Sequence, residues 1–200
     1  MSILLEHFVH QVETDKTLND GIVLEFGTGS GRSTAFLASG IKGPIQTFDG
    51  FQGLPKTEKG VPTGTGWEEG ELFFDEQVTR NSLKHFLNVT VHKCMTYDLK
   101  DPSEYGITKI RGVNLDLDLY EGTLDALRFI DKCEWSSLIL RFDDWGHYEG
   151  IQVREEVEAH EQAAFRDFLE ETGYLSFTNP EINQLSGNRQ SIYKIMRNVR

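Results

Sequence analysis

The segment Ile22-Val23-Leu24-Glu25-Phe26-Gly27-Thr28-Gly29-Ser30-Gly31 decides the fold. Residues 22–26 form a short apolar run that reads as a buried strand. The glycines at 27, 29 and 31 let the backbone turn tightly and let a ligand come close to the main chain. Arg32 to Ser39 then reads as a helix stopped by Gly40. A strand passing through such a turn into a helix sets the free N–H groups of the helix N-terminus at the strand's end.

The same alternation extends on both sides. Residues 3–13 carry Ile3, Leu4, Leu5, Phe8, Val9 and Val12 in a helical rhythm, and Asn19-Asp20-Gly21 is a turn. Residues 45–48 read as a second strand ending at Asp49. A helix is expected over 72–87, strands over 89–92 and 112–116, and a helix over 123–131. A fifth strand over 137–142 ends at Asp143-Asp144, followed by a helix over 151–172 closed by Gly173. Residues 174–177 and 191–195 suit a terminal antiparallel pair. The expectation is an α/β fold, Rossmann-like, with a mostly parallel seven-stranded sheet and helices on both faces. Residues 1–200 read as one domain, with 1–20 as an N-terminal helical segment. Such sheets bind ligands at the carboxyl ends of their strands, near the reversal in strand order.

A chain of 200 residues can bury a core without a metal or disulfide to hold it. Twenty Lys and Arg against 32 Asp and Glu give a net charge of −12. That charge disfavours phosphate backbones and anionic lipid, so neither nucleic acid nor membrane is expected as a partner. No apolar run approaches the roughly 18 residues of a membrane span. The start, Met1-Ser2-Ile3-Leu4-Leu5, lacks the basic opening of a signal peptide, which favours a cytoplasmic location. Cys94 and Cys133 have no CxxC spacing and read as small buried hydrophobes.

Asp49, at the end of the second strand, can accept hydrogen bonds from both hydroxyls of an adenosine ribose. Glycine turn plus acid fits a dinucleotide or S-adenosylmethionine. The dinucleotide pattern places its third glycine three residues after the second, where this chain has Arg32. It also has no place for Glu25, two residues before the first glycine. The pattern Glu25-x-Gly27-x-Gly29-x-Gly31 resembles the first motif of the class I methyltransferases, and that resemblance implies Glu25, Phe26, Gly27, Thr28, Gly29, Ser30, Gly31, Asp49, Gly50 and Phe51 as contacts of S-adenosylmethionine.

Asp116 and Asp118 end the fourth strand, and Asp143 and Asp144 the fifth. If these strands are neighbours, their carboxylates converge on one edge. So many like charges are costly unless a cation or proton shares the site. Asp116, Asp143 and Asp144 are the expected ligands of a hard divalent cation, Mg²⁺ by its preference for oxygen. The alternative is that each caps a turn or helix, as Asp commonly does.

Thr47-Phe48-Asp49-Gly50-Phe51-Gln52-Gly53-Leu54-Pro55 resembles the F-D-S-F-E-G-L-P segment of macrocin-type O-methyltransferases. Asp116-Leu117-Asp118-Leu119-Tyr120-Glu121-Gly122-Thr123 is similar to their D-x-D-L-Y-E-S-T, and Asp143-Asp144-Trp145-Gly146 to their D-D-Y-G. With the 25–31 motif, the likeness spans about residues 22–146. It departs at Gly50, Gln52 and Gly122, and at Cys94, where a glycine is usual. The resemblance implies a class I methyltransferase sandwich that methylates hydroxyls of small sugar or natural-product molecules, using S-adenosylmethionine and usually magnesium. It implies metal binding by Asp116, Asp143 and Asp144, and proton removal from the acceptor by a carboxylate of that cluster, with Asp116 the candidate. Self-association into a homo-oligomer stays open.

His147 follows the fifth strand and is either a general base, its ordinary pKa lying near neutrality, or a surface histidine. Trp67 and Trp145 suit a pocket wall or the core equally. Residues 50–66 combine Gly50, Gly53, Gly60, Gly64 and Gly66 with Pro55 and Pro62, the composition of a mobile loop over the acceptor.

Overall fold

The computed structural model describes residues 2–56, 69–146, 160–187 and 189–197. Its elements in chain order are α1 (Ile3–Thr14), β1 (Ile22–Phe26), α2 (Arg32–Gly40), β2 (Ile45–Asp49), α3 (Glu76–Leu83), β3 (Val89–Lys93), β4 (Ile110–Leu115), α4 (Tyr120–Asp131), β5 (Ser137–Phe142), α5 (His160–Thr172), β6 (Leu175–Thr178), α6 (Pro180–Gln184) and β7 (Ser191–Met196). The strands form one sheet in the order β3-β2-β1-β4-β5-β7-β6. β1 to β5 run parallel, and β7 enters antiparallel to both β5 and β6. This is the expected mostly parallel seven-stranded α/β sheet. The strand order reverses between β1 and β4, so the glycine turn lies at the switch point.

Alternation along the strands divides the core in two. Leu24 and Phe26 of β1 and Leu138, Leu140 and Phe142 of β5 join Leu127, Ile130, Phe165 and Phe168 of α4 and α5. Val23 and Ile139 face the other way, into Leu4, Leu5, Phe8, Val12 and Leu37 of α1 and α2. With a side-chain period of two, Glu25 and Arg141 fall on the α1 and α2 face. Gly112 of β4 lies on that face too, where an added Cβ would stand 2.7 Å from Val12 Cγ2. The close approach of α1 therefore depends on glycine there.

Three elements depart from the sequence expectation by two residues or more at a described boundary. The helix expected over 72–87 spans only Glu76–Leu83. Asp75 starts it by accepting the Val78 N–H at 2.9 Å, and Leu72 lies at φ 57°, outside helical geometry. The fourth strand begins earlier, at Ile110, and α4 begins at Tyr120, straight after the acidic turn. The short helix α6 carries no strong periodicity, so the sequence pattern does not mark it. Among the described residues, no helix is long and apolar enough to cross a membrane.

Candidate functional site

A cavity of about 770 Å³ opens at the carboxyl ends of the parallel strands. Drug-sized ligands occupy pockets of roughly 300–1,000 Å³. Part of its lining comes from Gly27, Thr28, Gly29 and Ser30 after β1 and from Asp49 and Gly50 after β2. Another part comes from Asp116, Leu117 and Asp118 after β4 and from Asp143 and Asp144 after β5. Cys94, Met95 and Thr96 complete one wall, and Leu72 and Phe74 another.

Gly27 shows why the turn needs glycine. Its φ is +89°, and a Cβ there would stand 1.8 Å from the Asp116 carbonyl oxygen. The absent side chain lets the turn after β1 lie directly against the end of β4. Asp49 braces the turn from the next strand. Its carboxylate accepts the Gly29 N–H at 2.8 Å and the Phe51 N–H at 2.7 Å. A carboxylate oxygen has more than one lone-pair site, so accepting these bonds leaves capacity for ligand hydroxyls.

Glu25, Phe26, Gly31 and Phe51 do not line the cavity. Glu25 is wholly buried beneath the turn. It accepts hydrogen bonds from the Thr34 hydroxyl, from Thr47 Oγ1 at 3.0 Å and from Asn114 Nδ2 at 3.0 Å. Burial pushes its carboxyl above the usual range, and bonds from Thr34, Ser33, Thr47 and Asn114 pull the other way. Thr47, Glu25, Asn114 and Arg141 are direct neighbours across β2, β1, β4 and β5. They form a polar row at the cavity floor, with Arg141 lining the cavity and the other three beneath it, because equivalent positions of adjacent parallel strands share one face. Arg141 Nη1 donates to Asn114 Oδ1 at 2.5 Å, and its Nη2 donates to the Asp143 carboxylate. Asp143 also accepts from Gln190 Nε2 at 2.6 Å, and the Ser2 hydroxyl bonds Gln190. The row thus reaches the N-terminal cap of α1.

Pairing of β4 with β5 brings their acidic ends together. Asp116, Asp118 and Asp144 each offer an oxygen within 4.8 Å of the others. Asp118 and Asp144 are buried, and Asp116 keeps part of its surface open. Asp143 stands beside them, its Oδ1 accepting from Arg141 and Gln190. Burial, then the charges of Asp143, Asp144 and Asp118, holds the Asp116 carboxyl well above its ordinary range, with Arg141 opposing. The donor set is hard oxygen, and gathered carboxylates of this kind fit a divalent cation.

Sequence reading missed Glu161. This α5 residue is fully buried, and its two oxygens accept the Asp144 N–H at 2.9 Å and the Leu117 N–H at 3.4 Å. Burial, followed by the charge of Asp144, raises its carboxyl well above the ordinary range. In the sequence it is one acid among several on an amphipathic helix. Ser2, Arg141 and Gln190 were missed for a similar reason, since only tertiary contact links them. Trp145 packs into the core, with ring centroids 4.9 Å from both Phe142 and Tyr193. His147, Trp67 and residues 57–66 of the expected loop lie outside the described residues.

The geometry has counterparts among solved structures. The O-methyltransferase NovP superposes with a TM-score of 0.65 at 17% identity, over 97% of this chain and 79% of that one. The calicheamicin methyltransferase CalS11 gives 0.64 at 19% identity, over 99% and 78%. The chain has the class I methyltransferase fold. An O-methyltransferase from Bacillus cereus, solved in complex with SAH, gives 0.61 at 14% identity, over 98% and 82%. Structures described as rRNA methylases share the fold as well. No protein-family model and no curated protein matches the sequence.

Proposed function

We propose that this protein is an S-adenosylmethionine-dependent, Mg²⁺-dependent O-methyltransferase acting on a hydroxyl of a small sugar-type or natural-product molecule in the cytoplasm. The observation that carries this reading is one cavity with a glycine–aspartate cradle on one side and three clustered carboxylates on the other. Gly27, Thr28, Gly29, Ser30, Asp49 and Gly50 would receive the methyl donor. Its main-chain N–H groups suit the carboxylate end, and Asp49 suits the ribose hydroxyls. Glu25 acts from below, fixing Thr34, Thr47 and Asn114 so that the turn keeps its shape. When bound, S-adenosylmethionine supplies a methyl group already activated on its sulfonium.

Asp116, Asp118 and Asp144 would hold Mg²⁺, which lowers the pKa of an acceptor hydroxyl when bound. Asp143, kept in place by Arg141 and Gln190, stands beside them. The chain's own work is alignment and proton handling. The two halves of the cavity set donor and acceptor against each other, and a carboxylate of the cluster, Asp116 by its partial exposure, takes the hydroxyl proton. Alignment of this kind supplies much of the rate enhancement in a displacement between two bound groups.

Methylation of RNA is the second reading, favoured by the rRNA methylases that share the fold. The net charge of −12 and the acidic cluster lining the cavity weigh against an anionic acceptor. The test is S-adenosylhomocysteine release from S-adenosylmethionine with Mg²⁺, offered a panel of polyhydroxylated small molecules and ribosomal RNA fragments. Release with a small hydroxylated acceptor, abolished by chelator, is expected. Release with RNA alone overturns the substrate class, and full activity in excess chelator overturns the metal.

A further inference from the structure

We propose that Glu161 is a positioning residue that ties the two acidic loops together and so sets the spacing of the carboxylates. It comes from α5, remote in sequence from both loops. One oxygen accepts the Leu117 N–H, between Asp116 and Asp118, and the other accepts the Asp144 N–H. A single side chain therefore spans the turn after β4 and the turn after β5 from beneath.

The chemistry of the tie is specific to a carboxylate. The Asp144 N–H is buried and the Leu117 N–H partly so, and leaving either without an acceptor costs desolvation of that group in proportion to its burial. An amide side chain offers one acceptor oxygen and sets its own donors against the second N–H. The position is also expensive for a charge. Glu161 is wholly buried next to Asp144 and near Asp116 and Asp143, all of its own sign. An apolar residue would fill the same space at less electrostatic cost, and the two backbone contacts are what a carboxylate adds. The consequence for cation affinity rests on the function proposed above, whereas the tie is measurable without it.

The experiment uses the full chain, wild type and Glu161→Gln. Amide hydrogen exchange is followed at Leu117 and Asp144, and Mg²⁺ and S-adenosylhomocysteine affinities are measured by calorimetry. The expected result is exchange at least about tenfold faster at those amides. With it, Mg²⁺ affinity should fall by roughly 10–100-fold, the range for residues that orient metal ligands, while S-adenosylhomocysteine affinity stays within about twofold. Equal loss of both affinities would mean a general structural role and overturns the proposal, as does unchanged exchange in the folded variant. If the wild type binds no divalent cation, the metal reading falls, and exchange at the two amides alone decides the tie. Should Glu161→Gln fail to fold, Glu161→Asp keeps the charge on a shorter arm and is read by the same criteria.

Discussion

The two halves of the cavity edge are built on opposite principles. At the ends of β1 and β2, polar groups are paired off: Asp49 takes two backbone N–H groups, and Glu25 takes hydroxyl and amide donors from Thr34, Thr47 and Asn114. At the ends of β4 and β5, like charges are gathered, with Asp116, Asp118 and Asp144 close together and Glu161 beneath. The first half is shaped by its own hydrogen bonds. The second carries repulsion that a bound cation would relieve. A methyl donor needs a rigid cradle, and an acceptor hydroxyl needs a charged centre, so the difference follows the division of labour in the proposed reaction.

The contrast breaks most severely at the seam between the halves. Gly27→Ala combines a positive φ with a Cβ 1.8 Å from the Asp116 carbonyl oxygen. The expected loss is about 3 kcal/mol or more, the scale of backbone strain added to a steric clash. Urea denaturation measures it, and an unchanged midpoint would show that the seam is loose.

Next in size is the cation itself. Mg²⁺ at a hundredfold excess over its dissociation constant should add about 2.7 kcal/mol of stability by linkage. Asp144→Asn should remove most of that gain and raise the stability of the metal-free protein. Asp143→Asn should remove less, because that carboxylate already answers Arg141 and Gln190. Thermal melts with and without Mg²⁺ separate the variants. An equal loss from both would put Asp143 among the ligands, as the sequence alone suggests.

The cradle half is probed by Asp49→Ala. Charged acceptors contribute about 1.5–3 kcal/mol per hydrogen bond, so S-adenosylhomocysteine affinity should fall at least tenfold. Asp49→Asn keeps one acceptor oxygen for the turn and should lie between. Calorimetry giving equal affinity for all three proteins would remove Asp49 from the donor site.

The two halves also differ in how far they can be read from sequence. The cradle is local: glycines at 27, 29 and 31 after an apolar run, with an acid at the end of the next strand, imply their own geometry. The convergence of Asp116 with Asp144 follows once β4 and β5 are taken as neighbours. Which carboxylates meet does not follow. Asp143 engages Arg141, two residues back in the sequence, through its Oδ1, while Asp118 joins Asp116 and Asp144 from a backbone at φ 60°. Glu161, Gln190 and Ser2 owe their roles to contacts across the fold, and neither their types nor their neighbours in sequence mark them. Glu25 is the instructive case: the motif names the residue, but strand alternation buries it under the floor.

The smallest expected effect concerns that buried acid. Burial holds the folded-state pKa of Glu25 above its ordinary value, despite the hydrogen bonds it accepts. In the folded protein it therefore keeps its proton at pH values where the unfolded chain has released it. Its contribution to stability is full below about pH 4.3, the ordinary glutamate value, and is lost as pH rises through the raised folded value. Glu25→Gln cannot titrate and should remove this component, leaving a shallower decline of unfolding free energy over the same window. The absolute stability of the variant is a separate quantity, because glutamine offers one acceptor oxygen to several donors. Asp116 and Glu161 contribute declines of the same sign in both proteins, so only the difference in slope belongs to Glu25. Urea unfolding at closely spaced pH values from 4 to 8, in the absence of divalent cations, measures it. Parallel curves for wild type and Glu25→Gln would mean that the four donors offset its burial in full, and the floor of the cradle would then be as well satisfied as its rim.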